Sequence, residues 1–295
     1  MNQTHLATLL AVLEEGSFDS AADVLGISPS AVSQRIKALE SDIGRVLVRR
    51  TSPVEATESG EVLAQAARRM ALLQAETDVA LRKTIARVPL SIAINADSLA
   101  TWFQPVFGEV ARWDSATLRL RIEDESRSMT LLRRGDCLGA ITTEATAVTG
   151  CEVKHLGVLR YRAMASPQLR DAYVDDQGNI DWAHMPTLRY GPNDKLQTSD
   201  LQGRLEGKPV HRRISEIPSS EAFLEAARQG LGWALVSELQ GAPLVSAGEL
   251  VILDDIVADV HLYWQYWRLE SSMLAQLTEA VTRIAGQHLD QVSQP

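Results

Sequence analysis

The run from Ser17 to Arg50, SFDSAADVLGISPSAVSQRIKALESDIGRVLVRR, leaves the chain few ways to fold. Ser17 is placed to cap a short helix carrying Ala21, Ala22 and Leu25, and Gly26 sits where a helix ends. Ser28 then caps a second helix whose first position is Pro29, where a missing N–H costs nothing. On that helix Val32, Ile36, Leu39 and Ile43 form an apolar stripe at helical spacing. Ser30, Ser33, Gln34, Lys37 and Ser41 form a polar one. A helix that buries one side on its partner and offers hydroxyls, an amide and a cation on the other is shaped to read DNA.

The flanks complete the unit. Leu6, Leu9, Leu10 and Leu13 predict a first amphipathic helix ending near Gly16. Val46 to Val48 predict a strand, Ser52-Pro53 a turn, and Val54 to Ala56 a returning strand, which is a winged helix-turn-helix within residues 1–57. The net charge of -9 argues superficially against a nucleic-acid partner. Its distribution answers this: Arg35, Lys37, Arg45, Arg49 and Arg50 cluster locally, opposed there only by Glu40 and Asp42. Glu14, Glu15, Asp19, Asp23, Glu55 and Glu58 still make the first 60 residues acidic. Modest non-specific affinity and a dependence on dimerisation are therefore expected.

From Thr57 to about Thr84 a long helix is predicted, with Leu63, Ala66, Met70, Leu73, Thr77 and Ala80 along one seam. It would run roughly 40 Å, and the reading is a linker that pairs with a second copy over residues 58–87. Pro89 marks a boundary. Beyond it, strands alternate with helices: LSIAI, SLATWFQPVFGEVARW, TLRLRI, SMTLLRRG and CLGAIT. A second set follows, with RYRAMA, a helix start at Asp181-Trp182, TLRYG, HRRISEI, SSEAFLEAARQG, GWALV and GELVIL. HLYWQYWR closes as a strand and Ser271 to about Leu289 as a helix. This predicts a two-lobed α/β domain over 88–295, lobe I about 88–162 and 267–295, lobe II about 163–266. No apolar run reaches a membrane span, and MNQTHLATLLAVLEEG lacks a basic n-region. A cytoplasmic protein with no membrane partner is expected. Cys137 and Cys151 read as reduced thiols, with Cys137 in a buried strand.

SFDSAADVLGISPSAVSQRIKALESDIG resembles the DNA-binding segment of LysR-type transcriptional regulators. INADSLATW, IEDES, LLRRGDCLGAIT, PSSEAFLEAARQG and LYWQYWR resemble the subgroup controlling basic amino-acid export. The resemblance covers essentially the whole chain. It implies an N-terminal all-α winged helix-turn-helix with a long linker helix, followed by a periplasmic-binding-protein-like effector domain. It also implies a regulator that activates an exporter gene in response to L-lysine, L-arginine or L-histidine, with no other cofactor. The partners implied are double-stranded promoter DNA, the amino acid, a second copy with further assembly to a tetramer, and RNA polymerase. The wing departs from the family pattern: Thr51-Ser52-Pro53 follows Arg50, and Ala56-Thr57 replaces Leu-Thr, so a wing-tip arginine contact does not carry over. Gln34-Arg35 also reverses an order common among members.

For DNA, the resemblance and the helix geometry agree on Ser28, Ser30, Ser33, Gln34 and Lys37. Gln34 suits adenine, Lys37 or Arg35 guanine or phosphate, and Arg49 and Arg50 backbone phosphates. For the effector, Asn95, Asp97 and Ser98 follow the first strand at a helix start, and Ser219, Ser220 and Glu221 make a second start in the other lobe. Plain capping is the competing reading, with Asp97 and Ser219 as the caps. Glu123, Asp124 and Glu125 close the second strand, and alternation would aim one or two of them at a cationic ligand, Asp124 foremost. Thr142 could supplement them. Tyr263, Trp264 and Trp267 read mostly as core.

No enzyme is expected: the six histidines are scattered, with no HExxH, nucleophile elbow or phosphate loop. A solute-binding protein fits residues 90–295 but not the attached DNA-reading unit. A low-specificity architectural protein, acting at a replication origin, is the alternative; broad AT-rich footprints would mark it.

Overall fold

The computed structural model describes residues 2–82, 88–114, 116–205 and 212–291. Three helices open the chain: α1 (Gln3–Glu15), α2 (Phe18–Leu25) and α3 (Pro29–Ile43). Asn2, Ser17 and Ser28 cap them, and Gly16, Gly26 and Gly44 end them in the left-handed conformation. Leu9, Val12, Ala21, Val32, Ile36, Leu39 and Leu47 close one small core. Ile43, expected on the buried stripe, is 38% exposed, because the last turn of α3 runs past its neighbours.

The wing is a two-residue ladder, β1 (Val48–Arg49) against β2 (Glu55–Ala56). Val46, expected in that strand, is exposed and outside the ladder; the buried Leu47 anchors the wing instead. Glu40 fastens it to α3 by accepting from Leu47 N at 2.8 Å. Thr57 accepts from Gly60 N at 3.1 Å and starts the linker helix α4 (Glu58–Arg82). Gly60 is required here: a Cβ would stand 1.9 Å from the Leu47 carbonyl oxygen.

Along α4, Ala64 and Ala67 pack into the head core, and Leu72 enters the core of the following domain. Val62, Met70, Leu73 and Leu81 stay exposed. Of the expected seam, Met70, Leu73 and Thr77 face out, Ala66 is half-buried and Leu63 packs on the head. The Ala80 side chain, and residues 83–84 of the expected helix, lie outside the described residues.

The second domain runs β3 (Val88–Ile94), α5 (Ala96–Ala100), α6 (Gln104–Val110), β4 (Ala116–Ile122), α7 (Glu125–Arg134), β5 (Gly139–Thr142), β6 (Cys151–Ala165), α8 (Pro167–Tyr173) and β7 (Thr187–Arg189). It continues with α9 (Lys195–Arg204), β8 (Ile214–Glu216), α10 (Ser220–Arg228), β9 (Ala234–Ser237), α11 (Glu238–Ser246), β10 (Val251–Trp267) and α12 (Ser272–His288). Six strands form one sheet in the order β4-β3-β5-β10-β6-β9, and β7 pairs with β8 alone. β3 is parallel to β4 and β5, while β10 is antiparallel to β5 and β6. GELVIL and HLYWQYWR, read as separate strands, are the ends of β10, and RYRAMA is the end of β6; these two strands tie the lobes together. Their ladder is irregular between Ile252 and Val257, and again between Leu262 and Tyr263.

Two expectations change. The helix expected over 98–113 with a proline kink is instead broken before the proline: α5 ends at Ala100 and α6 starts at Gln104, with Pro105 in its first turn. Asp181-Trp182 forms only a turn, closed by Met185 N on Asp181 O at 3.0 Å. The sequence reading passed over α8, α9 and α11.

Trp102, Trp233 and Trp264 are fully buried, and Trp264 Nε1 donates to Thr278 Oγ1 at 3.1 Å. Cys137, just before β5, and Cys151, opening β6, are buried free thiols whose pKa burial pushes up to about 12. Such thiols are unreactive. Among the described residues, no helix is long and apolar enough to cross a membrane.

The linker helix is fastened to this domain. Gln65 Nε2 donates to Arg133 O at 2.5 Å, and Arg68 reaches Arg134 O at 3.3 Å and Asp136 Oδ1 at 2.6 Å. Glu61 pairs with Arg134 at 3.1 Å, and at the start of α12, which Ser271 caps, Glu76 accepts from Met273 N at 3.0 Å.

Candidate DNA-reading surface and effector cleft

The first turn of α3 presents a continuous polar surface. Ser28 Oγ accepts from Ala31 N at 3.2 Å and lies 2.9 Å from Ser30 Oγ. Ser28, Ser30, Gln34 and Lys37 are exposed and Ser33 is half-buried. This is the arrangement a recognition helix needs: the buried stripe fixes its roll, so the opposite face meets base edges. Arg35 departs from the set, being half-buried with Nη1 3.5 Å from Thr8 Oγ1 on α1. The two wing arginines also separate. Arg50 is exposed, its guanidinium 5.1 Å from the Phe18 ring centroid. Arg49 lines a cavity of about 370 Å³ with Glu55, Glu58 and Glu61, bounded on the far side by Arg134 and Asp136. Both wing arginines are exposed, and no ion pair joins either of them to a carboxylate among the described residues.

In the second domain, parallel pairing aligns the C-terminal ends of β3, β4 and β5 on one edge of the sheet. Asn95 follows β3 and caps α5, accepting from Ser98 N at 2.8 Å. The cap is thus Asn95 and not Asp97, which leaves the Asp97 carboxylate to face the other lobe. There Asp97 Oδ1 accepts from Ser220 Oγ at 3.0 Å, and Oδ2 accepts from Tyr161 OH at 2.8 Å. The two helix starts named from sequence therefore meet across the junction between the lobes. Ser219 caps α10 through Ala222 N at 3.4 Å, and Glu221 is exposed. Ser98 is wholly buried, and its hydroxyl has no partner among the described residues.

Burial pushes the Asp97 carboxyl above the usual carboxylate range; the Tyr161 and Ser220 hydrogen bonds pull it down, and Asp194 raises it again. Burial, then the Asp97 charge, likewise raises the Tyr190 phenol. Asp194 caps α9, accepting from Gln197 N at 3.0 Å and from Tyr190 N at 2.9 Å. Among the described residues no cation pairs with Asp97.

The acidic run is placed differently. Asp124 is the exposed cap of α7, accepting from Arg127 N at 2.9 Å, and Glu123 pairs with Arg127 at 3.5 Å. The Glu125 side chain lies outside the described residues. Glu123 and Asp124 lie at the strand end next to Asn95 but are engaged by their own helix, unlike Asp97. Thr142 is buried and spends its hydroxyl within its turn, accepting from Glu144 N at 3.2 Å. Sequence reading did not single out Tyr161, Tyr190, Asp194 or Gln240, whose amide reaches Ser220 Oγ at 3.4 Å. The cap signal at Asp194 ahead of a helix was legible; the tyrosines carry no local signature.

Two family models match. Residues 3–61 match the bacterial regulatory helix-turn-helix protein, lysR family, and residues 86–285 match the LysR substrate binding domain. The chain belongs to the LysR family. Among relatives of this LysR-type regulator, the lysine export transcriptional regulatory protein LysG of Corynebacterium glutamicum is 59% identical over 285 residues, covering 97% of this chain and 98% of that protein. The full-length LysG structure from that organism, with bound effector Arg, superposes with a TM-score of 0.81 at 58% identity, covering 99% of this chain and 100% of that one. ArgP from Mycobacterium tuberculosis gives 0.84 at 39% identity, with 98% of each chain covered. This LysR-family chain is accordingly a DNA-binding transcriptional regulator and not an enzyme. Its architecture is the family's: a helix-turn-helix head and a two-lobed effector domain.

Proposed function

We propose that this regulator senses a basic amino acid (lysine, arginine or histidine) in the cleft between its lobes and activates the gene for its exporter. The reading head would comprise residues 1–57, the pairing helix 58–87 and the sensor 88–295. One observation carries the reading: Asp97 is a buried carboxylate bridging the lobes, its side-chain partners among the described residues being the Tyr161 and Ser220 hydroxyls. A carboxylate so placed gains most from a ligand ammonium or guanidinium, which would replace lost water with a charge-assisted bond. The N-terminus of α10 suits the ligand's own carboxylate. Glu123, Asp124 and Glu125 would draw cations toward the sheet edge by their field. The effector named for the C. glutamicum LysG structure is an arginine, which agrees with this class.

At the other end, Ser28, Ser30, Ser33, Gln34 and Lys37 would read the operator, Arg35 would take guanine or phosphate, and Arg49 and Arg50 would take phosphates. The exposed Met70, Leu73 and Thr77 seam would pair two copies, and dimers would assemble further on DNA and meet RNA polymerase there. Binding would shift the lobes only if the ligand favours one arrangement over the other.

The test is a thermal-shift panel of amino acids on the full-length protein and its Asp97→Asn variant. Only basic amino acids should stabilise the wild type. The variant should lose roughly tenfold to a hundredfold in affinity, the worth of a charge-assisted bond, with operator binding intact. Equal stabilisation by neutral amino acids, or a normal response in the variant, sinks the reading.

A further inference from the structure

The linker helix and α7 each carry an arginine doublet, Arg68-Arg69 and Arg133-Arg134. Each doublet commits one member to an ion pair across the junction: Arg68 to Asp136 at 2.6 Å and Arg134 to Glu61 at 3.1 Å. The other two, Arg69 and Arg133, line a separate cavity of about 410 Å³ with Gln65, Thr149, Gly150 and Trp267. No carboxylate pairs with either of them among the described residues, in a chain whose net charge is -9.

The walls of this cavity are built rather than incidental. The Arg69 guanidinium lies 3.7 Å over the Trp267 ring, which fixes its plane. Arg69 Nε and Trp267 Nε1 are both buried donors without a partner among the described residues, and Trp267 is only 3% exposed. Gln265, fully buried, holds the facing loop by donating to Glu144 O at 2.9 Å and Thr146 O at 3.0 Å and accepting from Val148 N at 3.0 Å. At the loop's end, Gly150 has φ +85 and approaches Trp267 so closely that a Cβ would meet the ring at 2.8 Å. Neither Arg69 Nε nor Trp267 Nε1 is reached from the cavity, so a ligand there would meet Arg69 through its terminal guanidinium nitrogens.

We propose that this cavity is a second small-molecule site, specific for a compact oxyanion, a carboxylate or a phosphate. A planar guanidinium held flat on an indole offers its fork edge-on, which is the geometry that binds oxyanions bidentately. Arg133 supplies the second charge from the opposite wall. Burial pulls the Arg69 pKa below its ordinary value, as it does for a cation that lacks a counter-charge. An anion bound here bridges α4 and α7 and so adds a fastening between the linker and the effector domain. The site is independent of the cleft at Asp97: it uses none of the same residues and takes a ligand of opposite charge.

The full-length protein is titrated with inorganic phosphate and, separately, with succinate, at fixed ionic strength set with chloride, following heat and tryptophan emission. Saturable binding of at least one anion is expected. Arg69→Gln and Arg133→Gln should each weaken it by roughly tenfold or more, the loss of one charged hydrogen-bonding group. Trp267→Phe shrinks the platform under Arg69 and should weaken binding several-fold, while removing most of the emission change. Arg69→Lys keeps the charge without the fork and should still bind several-fold more weakly than wild type, which separates loss of the site from loss of fold. Phosphate binding without succinate binding assigns a phosphate, and the reverse a carboxylate. Absence of saturation by both anions, or affinity unchanged in both glutamine variants, overturns the proposal.

Discussion

The reading head draws its surface from one run of residues, Ser28 to Arg50, on a helix and wing whose own core lies within the first 67 positions. The effector cleft instead joins Asp97 to Ser220, 123 positions apart, and sets Tyr161, Tyr190 and Asp194 around them. A local surface of that kind tolerates change in neighbouring elements, because its geometry is set by caps and one small core. A surface assembled across two lobes depends on how the lobes meet, which is what a sensor requires. The difference also separates their chemistry. The head offers exposed donors to a polyanion, and the cleft offers a crowded carboxylate to a cation.

Substitution at Gly60 should break the comparison most forcefully. Gly60→Val places carbon against the Leu47 carbonyl and should cost the head roughly 3 kcal/mol, the upper range for overpacking. Calorimetry should show a head transition moved to lower temperature, with the effector domain melting as before. One transition moving as a whole would mean that the contacts of Arg68, Gln65 and Glu76 fuse the two regions into a single cooperative unit.

A smaller effect distinguishes the cleft. The Asp97 carboxyl is raised on folding, so the folded state holds its proton more tightly than the unfolded state does. Its contribution to stability is complete below the unfolded pKa of about 4 and is lost as pH rises through the raised folded value. Without amino acid, Asp97→Asn should therefore be more stable than wild type at neutral pH, with the gap closing as pH falls toward that value. Melting temperatures that stay parallel across the range would remove Asp97 from the titration.

The smallest effect belongs to the wing. Arg50→Ala should weaken binding to every sequence by a similar few-fold factor and lower the salt slope by about 1, as expected for one phosphate contact. Arg49→Ala should lower the slope by less, since Glu55, Glu58 and Glu61 line the same cavity as Arg49 and their field opposes a phosphate. If the two variants change the slope equally, the separation of the wing arginines is wrong.

The same contrast explains what the sequence disclosed. Ser17, Gly26, Ser28 and Pro29 are signals that act over a few residues, so the head and its recognition helix were legible to within a turn. The wing was less so, because Val46 reads as strand by propensity but lies outside the ladder. In the cleft, both helix starts were legible as caps, yet which residue caps was misjudged: Asn95 takes Ser98 N and frees Asp97. Charge density favoured Asp124, which in three dimensions is occupied at the start of α7. Tyr161 was illegible because its role depends on a strand pairing that closes only when β6 meets β10 and β9.

That pairing has a mechanical consequence. The two irregularities in the β6–β10 ladder lie on either side of Tyr161, one opposite Leu156-Gly157 and the other between Arg162 and Met164. Between them, Val257 to Leu262 run in unbroken register against Arg162 to Gly157. Where a ladder is already interrupted, a bend breaks no further hydrogen bond, while the regular stretch resists bending. The lobes are thus joined by a stiff link with a knuckle at each end, and the tyrosine that holds Asp97 rides on the link. A bend at either knuckle would turn one lobe relative to the link while the paired stretch that carries Tyr161 keeps its register.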